Sequence, residues 1–167
     1  MNITIRMTRA LWTAMQTDLD RDHPFAAERV GFLFAEVATL PMGGLLLLPT
    51  TWSSVADQDY IDEASAGATI GPAAFRQVLQ SIFRNPMSLL HVHRHEHSGQ
   101  PAFSRQDVES MGKFVPGFFN ACRTRPHGAV VLSHDSGTGA LWTHAAAIPK
   151  GISRFELVGR PLVAWEA

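Results

Sequence analysis

Histidines are concentrated in one short segment of the sequence. Four of the eight lie at alternate positions from His91 to His97. Histidine is the side chain that most commonly binds metal ions in proteins. If the segment is a β-strand, residues two apart project from the same face, so His91 and His93 can both reach one ion. His95 and His97 lie beyond the predicted end of this strand, where the alternation is no longer assured.

A hydrolytic zinc site needs a third protein ligand and one open position for water. Asp107 is the best candidate, because it lies one turn into a helix that is predicted to begin at Ser104. The two residues are three apart, so a hydroxyl and a carboxylate share one side of the helix start. The same pair also matches a capping box, in which each side chain bonds the other residue's backbone. The two roles can coexist.

A zinc-bound water also needs a general base. Zinc lowers the pKa of its water to about 7, and a nearby carboxylate can take the remaining proton. Glu28 stands just before an apolar segment, residues 30–34, which is typical of a buried strand. A carboxylate at the entrance of a core strand can point into a site beside the neighbouring strands. Glu28 is therefore the predicted base.

The order of these residues resembles the signature of the JAB/MPN (JAMM) family of zinc metalloproteases. That signature is a glutamate before a Gly-Leu-type strand, then a His-x-His pair, then a Ser-x-x-Asp motif. The corresponding residues here are Glu28, His91, His93, Ser104 and Asp107. The resemblance covers residues 28–107, about half of the chain.

Two features differ from the common pattern of that family. Many members carry proline directly after the second histidine, where this chain has Arg94. The segment from His93 to Ser104 is also longer than the common form. It contains His95, which could substitute for a ligand, or His95 and His97 could instead line the rim of the cleft.

The resemblance implies a ligand set and a mechanism. Zn²⁺ would be bound by His91, His93 and Asp107. Glu28 would hold the attacking water and transfer its proton, and Ser104 would stabilise the water or the oxyanion of the tetrahedral intermediate. Family members hydrolyse amide and isopeptide bonds, commonly after the C-terminal glycine of ubiquitin or a ubiquitin-like protein. We therefore expect a zinc metallopeptidase that deconjugates such a protein or processes its precursor.

The resemblance also implies partners. Some small stand-alone bacterial members, similar in size to this chain, accompany E1- and E2-like enzymes in ubiquitin-like conjugation systems linked to phage defence. The expected partners are a ubiquitin-like protein or its conjugates, together with E1- or E2-like enzymes of the same system. The cleft for the tail is predicted to be walled by residues 50–59, a polar strand edge.

Other functions compete with this interpretation. Histidine-triad nucleotide hydrolases alternate histidines with apolar residues, and the histidines here are in register. However, Arg94 and Glu96 occupy positions where that motif has apolar residues. A non-catalytic scaffold of the same fold is a second alternative, although every signature position is filled. The histidine cluster would also suit metal storage or sensing, roles that do not need Glu28.

The elements that must position these residues follow from hydrophobic periodicity. Helices are predicted over residues 8–20, 72–85 and 104–123, the last kinked or split at Pro116. Strands are predicted at residues 29–37, 44–55, 87–93, 128–133, 140–143 and 154–165, the last interrupted near residues 159–161. The pattern indicates an α+β fold. Specifically, it predicts a JAB/MPN-like α/β sandwich with a largely antiparallel curved sheet flanked by helices.

Length and composition restrict the function further. A chain of 167 residues suggests one domain, residues 1–167, and is too short for an ordinary (β/α)₈ barrel of about 250 residues. A net charge of −1 offers no basic field for nucleic acid. The longest apolar run, residues 45–49, is far shorter than the about 20 residues of a membrane span, and no secretory signal is evident. With Cys122 as the single cysteine, we expect a cytoplasmic protein.

Overall fold

The computed structural model describes residues 1–22, 28–61 and 67–167. Within them, the helices are α1 (Arg9–Leu19), α2 (Pro72–Arg84) and α3 (Arg105–Ala121). The strands are β1 (Ile3–Thr8), β2 (Val30–Leu40), β3 (Gly44–Ser54), β4 (Ser88–Arg94), β5 (His127–Leu132), β6 (Gly137–Trp142), β7 (Lys150–Gly151), β8 (Arg154–Val158) and β9 (Val163–Glu166).

The nine strands of the described ranges form one mixed sheet in the order β7-β6-β5-β4-β2-β3-β1-β8-β9. Three of the eight neighbouring pairs are parallel, namely β1–β3, β1–β8 and β4–β5. The other five are antiparallel. The predicted α+β class is therefore confirmed, with antiparallel pairs in the majority.

The predicted elements all occur, with boundaries that differ by a few residues. Two strands, β1 and β7, were not predicted. The predicted split of the last helix does not occur, because α3 continues through Pro116 as one element. Val115 and Phe118 on either side of this proline are buried in the core, and this packing holds the turn in place.

Each face of the sheet carries its own core. On one face, α1 packs Met15 and Leu19 into a cluster with residues of β1, β3 and β8. On the other face, α2 and α3 cover β2 and β4, and Val78 and Phe118 pack around Phe32. Within the described residues, no helix has the length and apolar character that crossing a membrane requires. The candidate site lies on the face that α2 and α3 cover.

A close approach on the α1 side of the sheet depends on a glycine. A Cβ atom at Gly31 would lie 2.3 Å from the ring of Trp52, so only glycine lets the indole lie across β2. The indole nitrogen of Trp52 donates to Asp18 of α1 at 2.9 Å. Gly31 thereby permits a contact that ties α1 to the central strands.

Candidate metal centre

The pairing of β2 with β4 determines which side chains meet. The strands are antiparallel, and Val30 is paired with His93. Extending that register by two residues along each chain places Glu28 opposite His95. Because alternate residues of a strand share a face, Glu28 and both histidines project to the same side of the sheet.

His95 is held in an extended position by the neighbouring strand. β4 ends at Arg94, but the amide of His95 donates to the carbonyl of Leu132 on β5 at 2.9 Å. This bond continues the β4–β5 ladder, so His95 keeps the orientation of His93. The side chain of Arg94 lies on the opposite side, where it pairs with Asp20 at the end of α1.

Asp107 approaches the histidines from the first turn of α3. Its amide donates to the Ser104 hydroxyl at 3.1 Å, and its Oδ2 accepts from the Ser104 amide at 2.7 Å. The predicted capping box is therefore present. The other carboxylate oxygen, Oδ1, lies 3.2 Å from Nε2 of His93. The capping bonds thus orient the carboxylate toward the histidines.

Four side chains converge at this point. Nε2 of His93 lies 3.3 Å from Nε2 of His95. Nε2 of His95 in turn lies 3.8 Å from Oδ2 of Asp107 and 3.9 Å from Oε1 of Glu28. The ligating atoms of Glu28, His93 and His95 all lie within 4.8 Å of one another, and this group could hold a metal ion.

The spacing and chemistry of these atoms fit a divalent cation. Tetrahedral zinc bonds of about 2.0–2.1 Å place two ligating atoms about 3.3 Å apart. The distances from Nε2 of His93 to His95 and to Asp107, 3.3 and 3.2 Å, agree with that value. Two carboxylates and two imidazoles that face one another form a cluster of electron-pair donors, which a cation between them would stabilise.

His91 lines the same cleft, in an aromatic environment. Its ring centroid is 4.8 Å from that of Phe114 and 5.5 Å from that of Phe32. The ring centroids of His91 and His93 are 6.0 Å apart, against 5.1 Å between His93 and His95. Burial lowers the pKa of His91 to about 3, so the ring is neutral at physiological pH. The structure therefore places His91 beside the cluster and His95 within it.

Glu28 is fitted closely against the opposite wall of the cleft. Its amide donates to the carbonyl of Gly67 at 2.9 Å. A Cβ atom at Gly67 would lie 2.9 Å from Oε2 of Glu28, so the glycine leaves the space that the carboxylate occupies.

The two carboxylates differ in their affinity for protons. Burial raises the pKa of Glu28, and this outweighs the opposing charges of His93 and His95. Burial would also raise the pKa of Asp107, but the hydrogen bond and charge of His93 hold it well below its ordinary value. Glu28 is thus the better proton acceptor, while Asp107 remains ionised. Environments that separate two carboxylate pKa values in this way are typical of acid-base sites.

The cluster lies at one end of a cleft of about 1160 Å³. Its lining also includes the apolar side chains of Phe75, Leu79 and Phe114. Residues 67–70 are among the residues that line this cleft, and the predicted wall, residues 50–59, is not.

No protein-family model matches the chain, and no curated protein matches it.

Sequence reasoning identified three of the four converging residues, Glu28, His93 and Asp107, but did not choose His95. The signal was the two-residue spacing from His91 through His93, which continues to His95. The strand was predicted to end at His93, whereas β4 reaches Arg94 and its ladder extends one residue further.

Proposed function

We propose that the protein is a zinc-dependent peptidase or isopeptidase whose metal is held by His93, His95 and Asp107. The observation that carries this proposal is the spacing of 3.2–3.3 Å from His93 to the other two residues, beside the carboxylate of Glu28. Three protein ligands leave a fourth position for water, as a hydrolytic zinc site requires.

This ligand set differs in one residue from the set expected from the sequence, His91, His93 and Asp107, because His95 takes the place of His91. Taking His93 and His95 as the His-x-His pair shortens the segment before Ser104 by two residues. That change reduces the excess length noted above and brings the chain closer to the JAB/MPN pattern. His91 then becomes a neutral wall residue of the cleft.

In the proposed mechanism, Glu28 transfers the protons. A bound zinc ion would activate water and polarise the scissile carbonyl. Glu28 accepts the proton of the attacking water and returns it to the leaving amine, a cycle that its raised pKa favours. The Ser104 hydroxyl accepts from the Asp107 amide, which leaves its own O–H to donate to the developing oxyanion.

The substrate we propose is the C-terminal tail of a ubiquitin-like protein, cleaved from conjugates or from a precursor. Support comes from the JAB/MPN resemblance and from its placement in the fold: a glutamate before a core strand, histidines on the neighbouring strand, and Ser-x-x-Asp at a helix start. A cytoplasmic location and E1- or E2-like partners are parts of the same proposal.

The arrangement is less suitable for a histidine-triad nucleotide hydrolase. The carboxylates of Glu28 and Asp107 face His93 and His95 at 3.2–3.9 Å. Two negative charges at this point would repel a phosphate group, whereas they would attract a cation.

The test compares zinc content in the wild type and two variants, each purified and then reconstituted with zinc. We expect about one zinc per chain in the wild type and in His91→Ala, and loss of zinc in His95→Ala, because a hydrolytic site has three protein ligands. Loss in His91→Ala with retention in His95→Ala would restore the sequence-based ligand set. Folded wild-type protein that binds no zinc would refute the proposal.

A second measurement tests the reaction itself. Glu28→Gln should retain zinc but lose hydrolysis of a ubiquitin-like fusion substrate, since it removes the base and no ligand. Full hydrolysis by this variant would show that another group is the base. A wild type that binds zinc but cleaves no such fusion would favour the metal-storage or scaffold alternatives.

A further inference from the structure

The residue after the proposed base is a buried arginine. Arg29 is only 4% exposed. Its Nη1 donates to the carboxylate of Asp57 at 2.8 Å, and its Nη2 donates to the carbonyl of Asp22 at 2.9 Å. Its Nε donates to the carbonyl of Arg21. One guanidinium therefore joins the segment after α1 to the turn after β3.

Tyr60 holds the next residue of the chain. Its hydroxyl accepts from the Val30 amide at 2.9 Å and donates to the Val30 carbonyl at 3.2 Å. The guanidinium of Arg29 lies 6.0 Å from the centroid of the Tyr60 ring, within the range of a cation–π contact. We use the term Arg29 clamp for Arg29 together with Arg21, Asp22, Asp57 and Tyr60.

The clamp lies outside the cleft but next to the backbone that carries the base. The Glu28 amide donates to the carbonyl of Gly67, and the clamp holds the next two residues, Arg29 and Val30. Val30 is also the strand partner of His93. The peptide that carries the Glu28 carboxylate is thus fixed relative to the histidines, although Arg29 does not line the cleft.

We propose that Arg29 is a positioning residue that sets the distance between the Glu28 carboxylate and the metal cluster. The inference rests on the function proposed above. The fork of a guanidinium suits this role, because the three acceptors bond three separate nitrogens, Nε, Nη1 and Nη2, whereas lysine offers all its donors from a single nitrogen. A shift of about 1 Å in a catalytic group can reduce the rate about 100-fold.

The first experiment is kinetic and uses Arg29→Lys, which keeps the charge and removes the fork. We expect kcat to fall about 10- to 100-fold, while KM and zinc content stay close to the wild-type values. Arg123→Lys, at an exposed arginine after α3, is the matched control and should leave all three unchanged. An Arg29→Lys variant with wild-type kcat would overturn the inference.

A double-mutant comparison separates positioning from a general effect on the fold. If Arg29 acts through Glu28, then Arg29→Lys should not lower further the residual hydrolysis of Glu28→Gln. Equal losses in the two backgrounds would show that Arg29 acts elsewhere. Should Arg29→Lys fail to fold, Tyr60→Phe removes only the hydroxyl that holds Val30, and kcat should again fall without a change in KM.

Hydrogen exchange gives a measurement that does not depend on turnover. Arg29→Lys should speed exchange of the amides of residues 28–30 relative to the wild type, with α2 and β5 unchanged. Unchanged exchange at residues 28–30 would refute the positioning role. If the wild type hydrolyses no substrate, the proposed function fails, while the exchange result still decides whether Arg29 fixes Glu28.

Discussion

The buried histidine that begins β5 should make the stability of the fold depend on pH. His127 is fully buried. Its Nδ1 accepts from the amide of Leu89 on β4 at 3.0 Å, and its Nε2 donates to the carbonyl of Cys122 after α3 at 2.7 Å. The neutral ring therefore links the end of α3 to the strand that carries the site histidines. A protonated ring would have two donors and could no longer accept from Leu89.

The size of the effect follows from the pKa of His127. Burial lowers this pKa from 6.5 to about 4, partly opposed by the Cys122 carbonyl. The unfolded chain binds this proton at a higher pH than the folded chain does. The contribution of neutral His127 to the unfolding free energy is therefore complete above pH 6.5 and is lost as the pH falls toward 4. Lowering the pH from 7 to 5 should therefore cost about 2 kcal/mol of unfolding free energy through this residue.

The assay is urea unfolding at pH 7 and pH 5, in chelator, for the wild type and for His127→Gln. The glutamine can supply one donor and one acceptor but does not titrate. We expect the wild type to lose about 2 kcal/mol more than the variant over this interval. Other groups that titrate, such as Asp107, contribute equally to both proteins. Equal losses in the two proteins would refute the assignment of this pH dependence to His127.

Two further substitutions test features of the site's framework. Gly31→Ala should lower the melting temperature and cost about 1–3 kcal/mol, because its methyl group would overlap the Trp52 ring. Gly112→Ala in α3, where a Cβ atom meets nothing within 4 Å, is the control and should not destabilise; equal melting temperatures for the two would contradict the steric argument. Ser104→Ala should cost about 1 kcal/mol as a lost helix cap and should reduce kcat while zinc content is retained, since Asp107 still accepts from the backbone amide of residue 104. Ser104→Thr should restore both stability and kcat, and a Ser104→Ala enzyme with wild-type kcat would remove the hydroxyl from the mechanism.

Most elements could be predicted because each has a clear local pattern. In α2, the apolar residues Phe75, Val78, Leu79 and Ile82 recur with helical spacing after Pro72. In β4, a short apolar segment follows Pro86. β1 was missed although Ile3, Ile5 and Met7 alternate in the expected way, because a segment of six residues shows only three such positions. β7 has two residues and exists only through its pairing with β6. The strand order was not predictable, because it depends on contacts between distant segments.

The types of residue in the site could be predicted better than the particular histidines that form it. Glu28, His93, Ser104 and Asp107 were identified from type, spacing and resemblance. The register of β2 against β4 decides which histidine lies opposite Glu28. A slip of two residues would keep every side chain on its face of the sheet but would place His93 or His97, instead of His95, opposite Glu28. A single sequence contains no direct record of that register, so the pairing had to be seen in the fold.

The carboxylate of Asp107 has two separate attachments. Oδ2 completes the first turn of α3, and Oδ1 faces His93. If an ion occupies the cluster, thermodynamic linkage requires that its binding and the ordering of this helix start reinforce each other by the same free energy. An unwinding helix end would release the ion faster, and a bound ion would protect the helix end from proteases. The retention time of the metal would then be set in part by how often the first turn of α3 unfolds.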